Sequence, residues 1–248
     1  MKQFISPYWR RRCRVIQRST TDLWVGHAAK FVAFRPMTDD EKQRFTPQIA
    51  IVQPIPATTL SENKKHNLAL AIQRLQNIAI LPGAIFSFWQ LVGEPSQAKG
   101  YLEGRTIIQN QLKADVGGGL CQLSGLLYVL SLKAGLKVLE RHPHSQDIYT
   151  DETRFAPLGS DATVVYGYKD FRFEQTLAVP LCLRFEMRDQ EICAMLCAPQ
   201  PIPEYAIDFQ RENVESGIKV NTLRLLGNST QPEVLGSTLY KARQSIAL

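Results

Sequence analysis

Apolar positions recur at helical spacing over residues 61–79, where Leu68, Leu70, Ala71, Ile72, Leu75 and Ile78 share one face and Ser61 or Asn63 stands as the cap. Pro82-Gly83 stops that run, and Ile85-Phe86-Ser87-Phe88-Trp89 reads as a short buried strand. Gly93 to Gly100 is a loop, followed by a strand at Thr106-Ile107-Ile108. A second helix, at about 120–134, runs through Leu126, Leu127, Val129, Leu130 and Leu132 and ends at Gly135. Beyond Gly135 the pattern shortens to strands at 137–141, 162–166 and 170–173, then a hairpin of 181–186 and 191–196 across Arg188-Asp189-Gln190, and a last strand at 219–226. Helices early and strands late predict an α+β fold, with a central helix packed on a mostly antiparallel sheet. Pro47, Pro54 and Pro56 predict an extended connector, which divides the chain into an arm (1–20), an extension and connector (21–60) and an α+β domain (61–248).

At 248 residues and 44% hydrophobic the chain is long and apolar enough to bury a substantial core. Its net charge of +6 equals the six cations Lys2, Arg10, Arg11, Arg12, Arg14 and Arg18, so residues 1–18 hold the whole excess and the remainder sums to zero. Phe4, Ile5, Tyr8, Trp9, Val15 and Ile16 are interleaved with those cations. Such a segment suits an anionic membrane surface better than nucleic acid, and a plain solvated helix or tail is the competing reading. No apolar run is long enough to span a membrane, and the arginines are not followed by the core of a secretory signal. The five cysteines, Cys13, Cys121, Cys182, Cys193 and Cys197, are odd in number and imply no disulfide framework. The expected location is cytoplasmic, peripheral at the inner membrane face, with reduced thiols.

The chemistry concentrates at Val116-Gly117-Gly118-Gly119-Leu120-Cys121-Gln122-Leu123-Ser124. Three glycines running into a helix start let the backbone take positive φ and present Cys121 where unpaired N–H groups favour the thiolate. A cysteine nucleophile needs a base and a group that orients the base. His144 and Asp161 supply these in the order nucleophile, histidine, carboxylate, which is also the order of elements in papain-like and transglutaminase-like folds. The Cys121 N–H and the Gln122 amide are the expected oxyanion donors. Gly117, Gly118 and Gly119 would let a peptide lie against the loop, and Phe88 and Trp89 would line its groove. Arg141 would bind a substrate carboxylate or join a strand-pair salt bridge. His142 competes with His144, and Asp170 with Asp161. No cofactor is expected. A zinc site built on Cys121, His142 and His144 lacks a second cysteine at ligand spacing, and Cys193 and Cys197 would lie roughly 13 Å apart on a strand.

From about Asn67 to Phe185 the chain resembles the VanW family, named after an accessory protein of vancomycin-resistance gene clusters. The resemblance rests on Leu81-Pro82-Gly83 with Phe86-Ser87-Phe88-Trp89, on Gly117-Gly118-Gly119-Leu120-Cys121-Gln122-Leu123-Ser124, on Glu140-Arg141 with His144-Ser145, and on Asp161-Ala162-Thr163-Val164 with Asp170-Phe171-Arg172-Phe173. Gln175 departs from the Asn that many members carry there. The resemblance implies a link to peptidoglycan or its precursors and no settled activity. Two function classes follow: a cysteine-dependent amide hydrolase or transferase acting on a peptide or cell-wall precursor, and a non-enzymatic module that binds a cell-envelope ligand or partner.

Overall fold

A computed structural model of the chain describes residues 6–57, 59–108, 111–144, 156–225 and 231–241. The first helix, α1 (Pro7–Trp24), begins at Ser6, whose Oγ accepts the Trp9 N–H, with proline in the first turn. It is one continuous helix across the expected boundary at residue 20. After it, α2 (Asp39–Arg44) is closed by a reciprocal capping box of Thr38 and Glu41. Strand β1 (Thr46–Pro54) follows. The expected connector is thus a strand, and β1 belongs to the same sheet as the later hairpin.

Next come α3 (Ser61–Leu75), β2 (Ile85–Ser87), α4 (Phe88–Val92), the hairpin β3 (Glu103–Ile108) and β4 (Gln111–Val116), α5 (Leu120–Lys133), β5 (Lys137–Glu140) and β6 (Arg172–Glu174). The chain then forms β7 (Cys182–Met187), β8 (Glu191–Ala198), β9 (Ala206–Val214), β10 (Gly217–Leu225) and β11 (Glu233–Lys241). Every named strand pair is antiparallel, in the orders β1-β8-β7, β2-β6-β5, β11-β10-β9 and β3-β4. The fold is α+β with mostly antiparallel sheets. Helix α5 sits at its centre, packed against β1, β5, β8, β9 and α3. It is buried on nearly all sides, as expected of a helix that is apolar all round. Phe86, Phe171 and Phe173 fill the neighbouring core, with Phe86 stacked on Phe173 at 4.7 Å.

Several elements differ from the sequence pattern for identifiable reasons. Helix α3 stops at Leu75 because the chain beyond it pairs elsewhere. Asn77 takes φ 56 and donates to the Leu183 carbonyl, and Ile80 bridges Leu181. Phe88 and Trp89 leave the strand and open α4, capped by Ser87 Oγ on the Gln90 N–H. Residues 162–166 form no ladder beyond a single bridge from Val165 to Lys169. Their backbone groups go to separate partners instead: Ser124 Oγ donates to the Ala162 carbonyl at 2.6 Å, and the Thr163 N–H to the His142 carbonyl at 2.7 Å.

A buried ionic cluster joins α1 to β5 and β6. Arg172 holds Asp22 with two bonds of 2.7 and 3.1 Å and Asp170 with one of 2.7 Å. Asp170 also accepts from Ser87 Oγ at 2.6 Å and from the Trp89 N–H. Glu140 pairs with Arg18 and His142 and accepts the Asp170 N–H. Asp170 and His142 are therefore both committed here, away from Cys121. Burial pushes the Glu140 carboxyl up, but its bonds to His142, Arg18 and Asp170 prevail and hold it down at about 2.

Two outcomes are expected. Arg172→Met leaves two buried carboxylates without their cation and lowers unfolding free energy by about 3–5 kcal/mol in urea titrations. Because the folded pKa of Glu140 lies below its unfolded value, its contribution is full above about pH 4.5 and is lost as pH falls through about 2. The stability gap between the parent and Glu140→Gln, measured by denaturant titration, accordingly narrows over that window.

Candidate functional site

Cys121 is the second residue of α5, directly after the glycine turn, and is partly exposed. The turn is held by protein on all sides. Asn67, fully buried on α3, donates to the carbonyls of Leu102 and Gly118 at 2.9 and 3.0 Å and accepts the Leu102 N–H. Gly118 lies so close to the backbone of Gly104 that a Cβ would sit 2.1 Å from it. Gly119, at φ 101, is the residue from which α5 starts, and a Cβ there would strike the Lys64 stem at 2.6 Å. At Gly117 the neighbour is Pro95. All three glycines pack against the protein, and this packing is what presents Cys121.

Ser124, one turn on, anchors α5 to residues 160–164 through its bond to Ala162, and Gly125 lets the helix approach that segment. The same segment delivers Asp161. Oδ2 of Asp161 accepts the His144 backbone N–H at 2.6 Å and lies 2.8 Å from His144 Nδ1. Oδ1 accepts from Arg141 Nη2 at 3.0 Å and from the Tyr240 hydroxyl. Nδ1 is thus occupied by Asp161, and the ring lies near enough to Cys121 for the two groups to influence each other's charge. The Cys121 Sγ also lies 3.8 Å from the Val164 carbonyl oxygen. Cys121, His144 and Asp161 thus stand in one line of contact.

The electrostatics follow from these contacts. Burial pushes the Cys121 thiol up, but the hydrogen bond and charge of His144 outweigh it and the thiol ends below its ordinary value. For His144 burial works downward, yet Asp161 and Cys121 together raise it to about 10. Asp161, raised by burial, is brought down to about 2 by His144 and Arg141. All three shifts run in the direction that favours the charged forms of Cys121, His144 and Asp161. Lys64, beside Gly119, is lowered to about 8 by burial and by the charge of Arg105. The opposing effect of Cys121 on Lys64 places this ammonium within electrostatic reach of the thiol.

Four expectations are corrected. Arg141 does not face a substrate: its guanidinium bonds the carbonyls of Asp161 and Gly159, Thr238 Oγ1, Tyr240 and the Asp161 carboxylate, and lies over the Tyr128 ring. Gln122 is no oxyanion donor, because Nε2 is spent on the Pro54 carbonyl at 2.8 Å and the side chain is buried. Phe88 lies wholly in the core. Trp89 gives its indole N–H to the Lys169 carbonyl at 2.7 Å, which fixes the 165–170 loop. The sequence reading also missed Tyr240 and Asn67. Tyr240 had no signal in the weakly patterned tail, whereas Asn67, a polar residue on the apolar face of α3, was visible as an anomaly. Among the described residues no group of three or more His, Cys, Asp or Glu side chains is placed to hold a metal ion.

Residues 63–197, which contain the whole line from Cys121 to Asp161, match the family described as VanW like protein. The chain belongs to the VanW-like family. It is 34% identical over 124 residues to the uncharacterized protein YoaR of Bacillus subtilis, covering 50% of this chain and 39% of YoaR. It is 31% identical over 158 residues to the vancomycin B-type resistance protein VanW of Enterococcus faecalis, covering 61% of this chain and 58% of VanW. The chain therefore spans between about two-fifths and three-fifths of the length of these curated relatives. No solved structure matches it.

The ionisation of the Cys121 thiol is open to direct measurement. Iodoacetamide labelling of Cys121, followed by peptide mass mapping to separate it from exposed Cys13, is expected to titrate below the free-thiol value of about 8.5. His144→Ala removes the imidazolium and moves the midpoint upward. Each unit of that shift slows labelling at pH 6 by about tenfold. A profile indifferent to His144 contradicts the pairing.

Proposed function

We propose that this VanW-like chain is a cysteine-dependent amide hydrolase or transferase acting on a peptide of peptidoglycan or its precursors. The observation that carries the reading is the division of the Asp161 carboxylate. One oxygen holds His144, whose ring lies beside Cys121, and the other is fixed by Arg141 and Tyr240. The order of helix-borne cysteine, histidine and carboxylate is that of papain-like and transglutaminase-like enzymes, which supports the reading by analogy.

In this reading the Cys121 thiolate adds to the substrate carbonyl carbon, and the C=O electron pair moves onto oxygen. The Cys121 N–H, in the first turn of α5 where amides have no partner within the helix, faces the developing charge with the positive helix end behind it. His144 passes its proton to the departing amine as the C–N bond breaks, which leaves a thioester on Cys121. Water or an acceptor amine, deprotonated by His144, then releases the acyl group and restores the thiol. The peptide class rests on the name of the Enterococcus faecalis relative, a vancomycin B-type resistance protein. The cytoplasm supplies the reducing conditions that a free thiol requires.

The test is incubation with soluble peptidoglycan stem peptides and hydroxylamine as acceptor, with hydroxamate products and the Cys121 acyl adduct read by mass spectrometry. Product is expected with the parent and is lost to background with Cys121→Ala. With His144→Ala it falls by at least about a hundredfold, the range usual for a missing acid–base group. Turnover that survives Cys121→Ala, or a reactive Cys121 that acylates with none of the peptides, favours the non-enzymatic binding module.

A further inference from the structure

Helix α1 is docked the wrong way round for a water-soluble surface. At about 100° per residue, Arg11, Val15, Arg18 and Asp22 share one face. That face meets the fold, with Arg11 on Glu94 at 2.8 Å, Arg18 on Glu140 at 2.5 Å and Asp22 on Arg172 at 2.7 Å. Arg11 and Val15 pack over Gly167. The opposite face carries Trp9, Cys13, Ile16, Thr20, Leu23 and Trp24. Trp9 and Ile16 are each 61% exposed, Leu23 69% and Trp24 90%. A surface helix ordinarily turns its apolar stripe inward and its charges outward. Here ion pairs hold the helix, and the apolar stripe points to solvent along its whole length. Contiguous exposure of this kind marks an interaction surface.

Charge decides the occupant. Arg10 and Arg12 fall on either side of the stripe, and residues 1–18 hold six cations and no acid. A second copy of α1 would bring two cationic rims together, which like-charge repulsion opposes. An anionic lipid surface takes both parts at once: the arginines reach headgroups while the aromatic and aliphatic side chains enter the boundary with the acyl chains. Tyr8, Trp9 and Trp24 place amphipathic rings at both ends, the residue type favoured at that boundary. We infer that α1 is a peripheral docking element that lies flat on an anionic bilayer through Trp9, Ile16, Leu23 and Trp24 with Arg10 and Arg12 beside them. No helix among the described residues is long and apolar enough to cross a membrane, so this contact is made at the surface. The inference does not depend on the chemistry at Cys121. It does say where that chemistry is held, because the cluster of Arg18, Asp22, Glu140 and Arg172 ties α1 to the strand that leads into Arg141 and His144.

The test is flotation of the full chain with vesicles of phosphatidylcholine alone and of phosphatidylcholine mixed with phosphatidylglycerol. The expected result is co-flotation with the mixed vesicles, weakened by salt, with a blue shift of tryptophan emission. Ile16→Ser with Leu23→Ser should cut partitioning by at least about tenfold, since two buried aliphatic side chains are lost. Arg10→Gln with Arg12→Gln should cut it by roughly 30-fold, at about fivefold per cation near an anionic surface. Circular dichroism and the Cys121 labelling profile should match the parent in both variants, which separates loss of docking from loss of fold. Three results overturn the inference: a folded parent that stays unbound, binding to mixed vesicles that neither double variant weakens, or sedimentation showing a dimer that the Ile16/Leu23 change dissolves.

Discussion

The Asp161 carboxylate is the point at which three otherwise separate parts of the chain meet. Residues 141–144 leave β5, the segment around 157–161 approaches α5, and β11 arrives from the far end of the sequence. The first and the last send donors to the two carboxylate oxygens that the second carries. A carboxylate of this kind can stay charged in a buried place only while its donors remain. His144, Arg141 and Tyr240 are therefore positioned by the need to satisfy one anion as much as by their own packing. The orientation of the imidazole toward Cys121 follows from that need. So does the upward displacement of His144, since the charge of Asp161 and negative charge on Cys121 both favour the imidazolium.

Arg172, buried, and Arg141, partly buried, show the same principle used for different ends. Arg172 sits among Asp22, Asp170 and Glu140 and joins a terminal helix to a core sheet. Arg141 sits behind Asp161, spends its guanidinium on five oxygens, and lies across the Tyr128 ring. Desolvating such charges is costly, and each is tolerable because its planar fork meets oppositely charged or carbonyl oxygens on several sides. The consecutive residues Glu140 and Arg141 point their charges into different clusters, one on each side of the strand end. A shift of β5 would disturb both, which couples the seat of α1 to the setting of the His144 imidazole.

Much of the site was legible in the sequence because its chemistry has a local cause. Three glycines before Cys121 demand a tight turn, and the apolar run after it demands a buried helix, so the position of the cysteine at the start of α5 could be read directly. The order of His144 and Asp161 was readable in the same way. What was not legible depends on distance along the chain. The sequence leaves Arg141 between a substrate carboxylate and a strand-pair salt bridge, because nothing local shows that Tyr240, 99 residues on, closes its shell. Gln122 beside a nucleophile reads as an oxyanion donor until β1 brings the Pro54 carbonyl to it. The 162–166 segment has β-branched residues and no ladder, because Ser124 and His142 take up backbone groups that a neighbouring strand would otherwise occupy. Strands β9 and β11 lie in a stretch of alternating exposed positions with few large apolar residues, so their pattern was weak although their pairing is regular.

The division between what the family match covers and what it leaves out has a physical meaning. Residues 63–197 hold the glycine turn, Cys121, His144, Asp161 and Arg141, which are the groups able to carry or orient a reaction. Tyr240 and α1 lie outside that span, and each acts on it from the edge. Tyr240 adds a second donor to the Asp161 oxygen that does not face His144, so it bears on the charge and rigidity of the carboxylate and leaves the imidazole to Oδ2. Helix α1 reaches the same region through Glu140 and Arg172, from the opposite side of β5. The flanking segments thus contribute fixation: one holds the Asp161 carboxylate that carries His144, and the other holds the strand that leads into His144. Both keep the His144 ring fixed in its place beside Cys121. This explains why residues so far from Cys121 in sequence end within one or two contacts of its histidine.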